Sequence, residues 1–590
     1  MRKKVIRRGA RRSLRHIAAG AVGALLAVGS AQAFTFDSGN PDVKMSWDNT
    51  FKYSAGWRVR DIDSKVADNS LGPQINTNDG DMNFKKGSMI SNRLDWLSEF
   101  DFRYQNKMGF RVSAAAWYDD VYQHGNDNPG AMGGALVNYK SVAYDKFPQG
   151  TKDLHGNKTE FRDAFVYGTF DAGESSVNVK AGQFTQLMGE SLFFGYNGIA
   201  AAQTPLDLVR ALSVPNSQFK EIAMPVKQIS AMVQINPQLS VGAYYQFEFK
   251  RSRVPGAGSY FSFADFVDSG GQNILLGDAG AIVAPPFAGM LASVHRTKDM
   301  DAKNSGQGGA QIKFKTGDYE FGFYAAQFHD KMPQFYVRAG NNARGPLANG
   351  LFDVGDYMMV YAENIRTEGV SVSTLVGETS LSAELSFRQN MPLVARGVTA
   401  VWATTDNNNS NNPAYPVGDT LHFNMSTITV FGATPLWEGA SLVAELAYNQ
   451  RLKMTRGEKY NAVTGCPAGG RCLDPLATKS ATAIQFVFQP EYFQVLPGLD
   501  LQVPIGVGYG IDGRSSVAGV AALMPPEHGG NISIGLKGEY LKTWQMGFNY
   551  THYFGDNSSV IRYNADAPTL SYKNFHGDRD FVTLSIQRTF

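Results

Sequence analysis

The chain has 590 residues, a mass of 64.4 kDa and a formal net charge of +2, with 43% hydrophobic, 12% aromatic and 18% charged residues. Soluble domains usually carry about 25% charged residues, so this chain is poor in charge. No run of about 18 apolar residues occurs beyond the N-terminus, which excludes a polytopic helical membrane protein. The presence of only two cysteines excludes a disulfide-rich scaffold.

The first 33 residues predict a secretory signal peptide. Residues 1–16 hold eight Lys and Arg and no acid, residues 17–29 are mostly Ala, Gly, Val and Leu, and residues 31–33 form a small-x-small cleavage pattern. A basic membrane anchor is the alternative. Cleavage near Ala33 would leave 34–590 with 47 basic against 53 acidic residues, a formal charge of −6. A nucleic-acid partner is therefore not expected.

The first segment of the mature chain alternates with a period of two. From Val43 to Val59, apolar residues take every second position except Asn49, and Lys, Ser, Asp, Thr, Gly and Arg take the positions between. Successive side chains of a strand point to opposite faces. The pattern therefore predicts a long strand with one apolar and one polar face.

The same alternation returns along the chain in pairs of runs joined by short turns. Six of these turns lie near 106–109, 171–173, 236–238, 316–318, 377–379 and 541–543. Long polar stretches separate the pairs, at approximately 61–91, 119–161, 185–227, 251–306, 330–356, 389–419, 451–479, 512–529 and 555–577. Such a rhythm places all short turns at one end of an antiparallel sheet and all long loops at the other.

This layout predicts an all-β protein, a closed antiparallel transmembrane β-barrel of about 18 strands (16–18) in the bacterial outer membrane, with short periplasmic turns and long extracellular loops. One of the predicted strands is 357–375. Closure is favoured because unpaired edge amides in lipid cost several kcal/mol each. The final alternating run ends in Phe590, as in the terminal signal read by barrel-insertion machinery. A soluble sandwich or propeller is the alternative.

Several stretches resemble the outer-membrane family known as domain of unknown function 1302. They are SWDNTFKYSAGWR at 46–58, DAFVYGTFD at 163–171, YYQFEF at 244–249 followed by GSYFS at 258–262, ENIRTEGVS at 363–371 and FQVLPGLD at 493–500. The resemblance runs over nearly the full mature length. It implies an outer-membrane location and a role in handling hydrophobic compounds or lipids, and it carries over no catalytic residue.

If the apolar faces meet lipid, the opposite faces line the lumen. The predicted lumen residues include Lys52, Arg58, Glu99, Arg103, Arg111 and Lys313. Charges of both signs tolerate burial only beside water or partners, and a barrel of about 16–18 strands leaves an aqueous channel. We therefore expect a conduit. The alternative is that the charges pair into a sealed, rigid lumen.

Loop 185–227 differs from the other long stretches because it is rich in apolar residues. Phe193, Phe194 and Tyr196 would be awkward in external water, and a short helix is expected near 205–212, with Asp207 and Arg210 beside it. We expect this loop to fold into the barrel as a constriction. Loop 251–306 has a similar character and could be a lid or a receptor for an amphipathic molecule. An ordinary external position is the alternative for both loops.

Cys466 and Cys472 lie six residues apart in a predicted external loop. Two close cysteines in a secreted chain predict a local disulfide. Since neither a His nor a third Cys is nearby, a metal site is not expected. The sequence has no Gly-x-Ser-x-Gly, His-Glu-x-x-His or Walker motif. GYGIDG at 508–513 fits the dinucleotide-binding pattern by letter, but it leads into a loop and lacks a βαβ unit, so no cofactor is expected.

Three functions remain open. The first is a channel or passive transporter for small hydrophobic or amphipathic molecules. The second is an outer-membrane docking component for periplasmic lipid carriers or an export system, in which the short turns form the contact surface. The third is an outer-membrane hydrolase, which would need His422, His552 or His576 beside a Ser and an acidic or amide side chain at the outer rim. We expect no enzyme. The predicted partners are outer-membrane lipid and lipopolysaccharide, the insertion machinery and a small-molecule substrate.

Overall fold

A computed structural model of the protein describes residues 34–36, 38–68, 73–130, 140–213, 222–397, 401–459, 466, 471–563 and 568–590. Eighteen antiparallel strands form its main sheet. They are β1 (Val43–Arg58), β2 (Met89–Tyr104), β3 (Met108–Asp119), β4 (Asn157–Ala172), β5 (Ser175–Phe184), β6 (Val226–Asn236), β7 (Leu239–Gln246), β8 (Gln307–Thr316), β9 (Tyr319–Phe328), β10 (Ile365–Val376), β11 (Thr379–Pro392), β12 (Val417–Phe431), β13 (Gly439–Arg456), β14 (Ser480–Leu496), β15 (Leu499–Gln502 and Ile505–Gly513), β16 (Gly530–Tyr540), β17 (Trp544–Phe554) and β18 (Phe581–Thr589).

The sheet closes because its last strand pairs with its first. The β18–β1 ladder runs from Thr589 opposite Thr50 to Phe581 opposite Arg58, and β18 pairs with β17 on its other side. A short N-terminal strand, Phe34–Phe36, continues along the same edge of β1 beyond the end of β18. The fold is thus a closed 18-stranded antiparallel barrel, which confirms the predicted class and count.

Nine long loops, L1 to L9, gather at one end of the barrel and eight short turns at the other. The loops are L1 (59–88), L2 (120–156), L3 (185–225), L4 (247–306), L5 (329–364), L6 (393–416), L7 (457–479), L8 (514–529) and L9 (555–580). The predicted strand 357–375 had the wrong start. Strand Leu351–Val360 belongs to a second sheet, and β10 begins only at Ile365. Both segments alternate poorly, so periodicity could not separate them.

The second sheet is built by L4, L5 and L6. Its strands are Asn273–Asp278, Leu291–Arg296, Gln334–Ala339, Gly345–Pro346, Leu351–Val360 and Val401–Trp402. Two further strand pairs join Glu458–Lys459 to Cys472–Leu473 and Ile561–Tyr563 to Pro568–Leu570. Cys466 and Cys472 form the predicted disulfide in L7.

The helices are short and lie in the loops. They are Pro73–Asn76, Asp79–Met82, Asp120–Gln123, Gln149–Thr151, Lys152–Gly156, Ile199–Ala202, Leu208–Ser213, Ala279–Ile282, Pro285–Phe287 and Ala518–Ala521. Over the part of the chain that the structure describes, helices of membrane-spanning length and apolarity are not found.

The outer wall of the barrel exposes large apolar side chains at alternating strand positions. Trp47, Trp96, Val166, Phe323 and Phe548 are each at least 40% exposed on this wall. A wall that exposes large apolar side chains along many neighbouring strands is typical of a surface that contacts a membrane or a partner. The alternation predicted for β1 therefore separates an apolar exterior from a polar interior, as in outer-membrane barrels.

The long loops pack on one another and cover their end of the barrel. One buried apolar cluster joins L3, L4, L5, L8 and L9, and a second joins L1, L2 and L4 to the strand ends at Tyr553 and Phe581. We call this layer of packed loops the lid.

A buried ion network ties the lid to the barrel rim. Asp81 of L1 accepts from Arg579 of L9 at 2.7 and 2.8 Å and lies 3.3 Å from Arg58 at the end of β1. Arg58 also lies 3.0 Å from Asp578. Arg58, Asp81 and Asp578 are fully buried. Arg58 therefore holds loops together, which corrects its predicted role as a lumen-lining residue.

Asp81→Ala should loosen the lid, because it leaves Arg58 and Arg579 buried with less compensating charge. Breaking one partner of a buried ion pair costs about 3–5 kcal/mol, so the free energy of loop opening, measured by protease protection, should fall by that order. Asp61→Asn is the matched control, since its pair with Lys86 is exposed and such pairs contribute about 0–1 kcal/mol. Equal protection in both variants would contradict the role given to the network.

Candidate substrate pathway

The part of the inner wall formed by β1 to β5 carries charged side chains that remain in contact with solvent. Arg111 of β3 bonds to Glu99 of β2 and lies 3.6 Å from Asp101 and 3.9 Å from Asp163. The side chains of Arg111 and Asp163 keep about 30% of their surface exposed. Water therefore reaches this wall, which is formed by β1 to β5.

The other predicted wall residues lie on inward faces at different heights. Lys52 alternates with the outward residues of β1, and Arg103 is exposed near the turn end of β2. Lys313 of β8 contacts Glu320 at 2.8 Å and Glu190 of L3 at 3.5 Å. Lys313 thus connects the inner wall to L3.

L3 lies against the part of the inner wall formed by β10 to β13. Glu384 of β11 accepts from the amides of Glu190 and Ile199, at 2.6 and 3.0 Å, and from the Ser191 hydroxyl at 2.7 Å. Arg388, also of β11, donates to three consecutive L3 carbonyls at 2.6–3.1 Å. These contacts hold the loop by its backbone.

A second carboxylate of the inner wall also binds the backbone of L3. Glu445 of β13 accepts from the consecutive amides of Leu192, Phe193 and Phe194, and also from the Asn424 side chain at 2.7 Å. Its side chain is almost fully buried. The carboxylate satisfies three loop amides, and the amides compensate its charge, so neither group is left unpaired in the interior.

The three predicted aromatic residues of L3 differ in their surroundings. Phe193 is half-buried, whereas Phe194 packs beside Ala447 and Ala483 on the wall. Tyr196 is buried and donates its hydroxyl to Asp330 of L5. Burial raises the pKa of Tyr196 well above its usual value, and the neighbouring Asp330 carboxylate raises it further. Tyr196 is therefore a neutral hydrogen-bond donor that ties L3 to L5.

L5 places a second ionisable group beside this bond. Lys331 is buried, and this desolvation lowers its pKa to about 8, against the opposing effect of Asp330. Burial likewise raises the pKa of Asp330. The two side chains occupy a region of low polarity at the junction of L3 and L5.

The C-terminal part of L3 forms the expected short helix, Leu208–Ser213. Asp207 precedes it, is buried and pairs with Arg253 of L4 at 2.6 Å. Arg253 also contacts Glu160 of β4. Arg210 is exposed on the helix. Asp207 thus belongs to the junction between L3 and L4.

An apolar cavity of 150 Å³ lies in the lid. It is bounded by L4, L5, L6, L8 and L9 and by the loop ends of β14 and β15. Its apolar lining includes Phe263, Phe266, Phe335, Ala521, Met524 and Phe575. Sequence analysis missed it, because five loops distant in the chain contribute to it and no local pattern marks it.

L8 lies between this cavity and L3. Ala518 and Ala521 of its helix line the cavity, while a methyl group added to Gly519 would come 2.5 Å from the Tyr196 ring. Met524 lines the cavity and also packs on the cluster that holds Phe194. One short segment thus contacts both the cavity and the loop inside the barrel.

The histidines considered for a hydrolase lack a serine partner among the described residues. His422 contacts Thr420 at 2.9 Å and Asn197 at 3.0 Å, but Thr420 is fully buried beneath L3. His552 bonds Asp580, and His576 lies near a backbone carbonyl. Clusters of three or more His, Cys, Asp or Glu suited to a metal are likewise not found in the described parts of the chain.

The comparisons with known proteins identify a family but no activity. The family described as "Protein of unknown function (DUF1302)" matches residues 14–590. No curated protein matches the chain.

Similar solved structures cover nearly the whole chain at low identity. Acinetobacter baumannii OccAB1 is 10% identical, with 95% of this chain and 99% of that chain covered and a TM-score of 0.40. Pseudomonas aeruginosa OpdK with vanillate is 9% identical, with 92% and 98% covered and a TM-score of 0.38. Salmonella typhi OmpF in complex with daunomycin is 10% identical, with 94% and 100% covered and a TM-score of 0.34. The barrel is assigned from strand pairing and not from these likenesses.

Glu445→Ala should free the L3 backbone, because three amides lose a charged acceptor. Hydrogen bonds to charged groups contribute about 1.5–3 kcal/mol, so the amides of Leu192, Phe193 and Phe194 should exchange with deuterium at least about tenfold faster. Glu99→Ala, an inward carboxylate on the opposite wall, is the control and should leave these rates unchanged. Unchanged rates in the Glu445 variant would show that other contacts seat the loop.

Proposed function

We propose that this chain, which belongs to the DUF1302 family, is a gated outer-membrane conduit for small hydrophobic or amphipathic molecules. The observation that carries the proposal is the apolar cavity in the lid. A site for a sugar or an ion would offer polar groups, whereas apolar walls take an apolar ligand body. The finding that L8 contacts both this cavity and L3 supports a gate.

The proposed location is the outer membrane, after signal-peptide cleavage near Ala33. The apolar outer wall and the closed sheet support it, since a spanning sheet must satisfy every backbone group internally. The partners that follow are outer-membrane lipid, lipopolysaccharide and, during biogenesis, the barrel-insertion machinery. The mature protein would comprise 34–590.

The proposed route runs from the lid cavity past L3. It then follows the solvent-exposed inner wall of β1 to β5 to the end of the barrel that carries the short turns. The lid and the seated L3 represent a closed state. Displacement of L3 would widen the lumen on the side of Arg111 and Lys52. The proposed conduit is passive, so movement would follow the substrate gradient.

A docking role has one observation in its favour. Apolar side chains are exposed at the turn end of neighbouring strands, with Leu436 71% and Leu496 62% exposed, and Phe493 nearby. A periplasmic lipid carrier could deliver to or receive from the conduit at this surface. Pull-down of a periplasmic carrier that is lost on Leu496→Asp would support this role.

Deleting residues 190–212 should enlarge the channel. The deletion removes the segment seated on Glu384 and Glu445, so single-channel conductance in planar bilayers should rise severalfold and flicker less. Asp61→Asn, altered at an exposed loop pair, should retain the conductance of the unmodified protein. Electrical silence of both the unmodified and the deleted forms, together with an absence of substrate flux, would overturn the conduit.

Filling the cavity should slow the passage of apolar molecules. Ala521→Trp places an indole in the 150 Å³ space, so uptake of a hydrophobic probe into proteoliposomes should fall about tenfold, while ion conductance of the L3-deleted form should persist. Ala172→Trp, at an exposed turn, is the control for the added ring. Unchanged uptake with Ala521→Trp would place the route elsewhere.

A further inference from the structure

We propose that the lid cavity selects molecules with an anionic head group, such as monocarboxylates, through Arg514 and Lys573. The inference rests on the proposed function, because it assumes that the cavity receives the apolar body of the ligand. It adds the chemical class of the ligand and the side chains that read it.

The charged residues of the cavity lining are two bases and one acid, namely Arg514, Lys573 and Glu527. They occupy neighbouring segments, because the Tyr572 hydroxyl donates to the Ser515 carbonyl at 3.3 Å. This bond holds the segment of L9 that carries Lys573 beside the start of L8 that carries Arg514. An apolar chamber whose lining includes two basic residues suits an amphipathic anion.

The Arg514 side chain is held by two contacts, and some of its N–H groups are not engaged by them. Its Nε donates to the Leu476 carbonyl at 2.7 Å, and its Nη1 lies 3.3 Å from Glu527. A guanidinium has five N–H groups, and over the described residues its Nη2 has no protein acceptor within hydrogen-bond distance. About a third of the side chain is exposed. A ligand carboxylate could therefore bind Arg514 without breaking the bond that positions it.

Lys573 has a weak competing partner. Its Nζ lies 3.1 Å from Asp556, whose side chain is 84% exposed. Exposed pairs of this kind contribute little, so a ligand anion that enters the cavity can take the place of Asp556.

Glu527 is the group that opposes ligand anions. It accepts from the Gly513 amide at 2.9 Å and from Arg514. Its negative charge partly neutralises Arg514 and repels a second carboxylate. Glu527→Gln keeps an oxygen acceptor for Gly513 and removes this charge, so it should strengthen anion binding rather than weaken it.

The size of the cavity limits the ligand body. Apolar cavities of about 150 Å³ accept molecules of the size of benzene, which corresponds to roughly six to ten non-hydrogen atoms once the head group reaches the mouth. Hexanoate fits this description. 1-Hexanol and hexylamine share its chain and replace only the charge of the head.

Binding of these three probes to the full barrel in nanodiscs tests the proposal, with empty nanodiscs subtracted in equilibrium dialysis. Hexanoate should bind about tenfold more tightly than 1-hexanol, as one charge-assisted hydrogen bond implies, and hexylamine should bind most weakly. Arg514→Met should reduce the preference for hexanoate severalfold with 1-hexanol binding unchanged, and Glu527→Gln should raise hexanoate affinity severalfold.

Arg344→Met is the matched control, since Arg344 is an exposed arginine of L5 and should not affect any probe. Equal affinity for the three probes would overturn the head-group assignment and leave the hydrophobic conduit standing. Absence of binding by all three would overturn both. Loss of hexanoate and 1-hexanol binding together in Arg514→Met, with no gain in Glu527→Gln, would assign Arg514 a structural role and overturn the proposal.

Discussion

The pairing of β18 with β1 is the constraint on which the rest of the molecule depends. Unsatisfied backbone groups are costly in hydrocarbon, so a sheet with an apolar outer face must close on itself. The N-terminal strand Phe34–Phe36 extends this seam where β18 ends. Once the seam is closed, every second side chain is forced inward, and the interior must accommodate the charges that the alternation places there.

The inward charges are accommodated differently on two parts of the inner wall. Along β1 to β5 the charges pair with one another and stay wet, as around Arg111. Along β11 and β13 the carboxylates of Glu384 and Glu445 are dry, and loop amides satisfy them. An irregular loop can lie inside a barrel only if its backbone groups find partners. The charges that would destabilise an empty lumen are thus the groups that hold L3.

Periodicity and turn spacing predicted the closed barrel of about 18 strands, with an error at the start of β10, because each signal is local. The second sheet escaped prediction, since its strands pair only after L4, L5 and L6 are brought together by the closed barrel. Arg58 illustrates the same limit. Its place in the alternation indicated a lumen residue, but it stands at the end of β1, where Asp81 and Asp578 from distant loops surround it. The alternation of β11 and β13 is enough to place Glu384 and Glu445 on the inward face, but no local pattern pairs these carboxylates with the amides of L3.

The position of L8 explains how a packed lid can coexist with a channel. A cavity ligand would contact Ala521 and Met524, and the neighbouring Gly519 has no side chain, so the Tyr196 ring approaches its backbone closely. Packed interiors respond to a shift at one contact by moving to another discrete arrangement rather than by yielding gradually. A ligand that fits better when L8 has moved would therefore also bias the bond between Tyr196 and Asp330. L8 alone is enough to couple ligand binding in the cavity to the position of L3, because L8 contacts both.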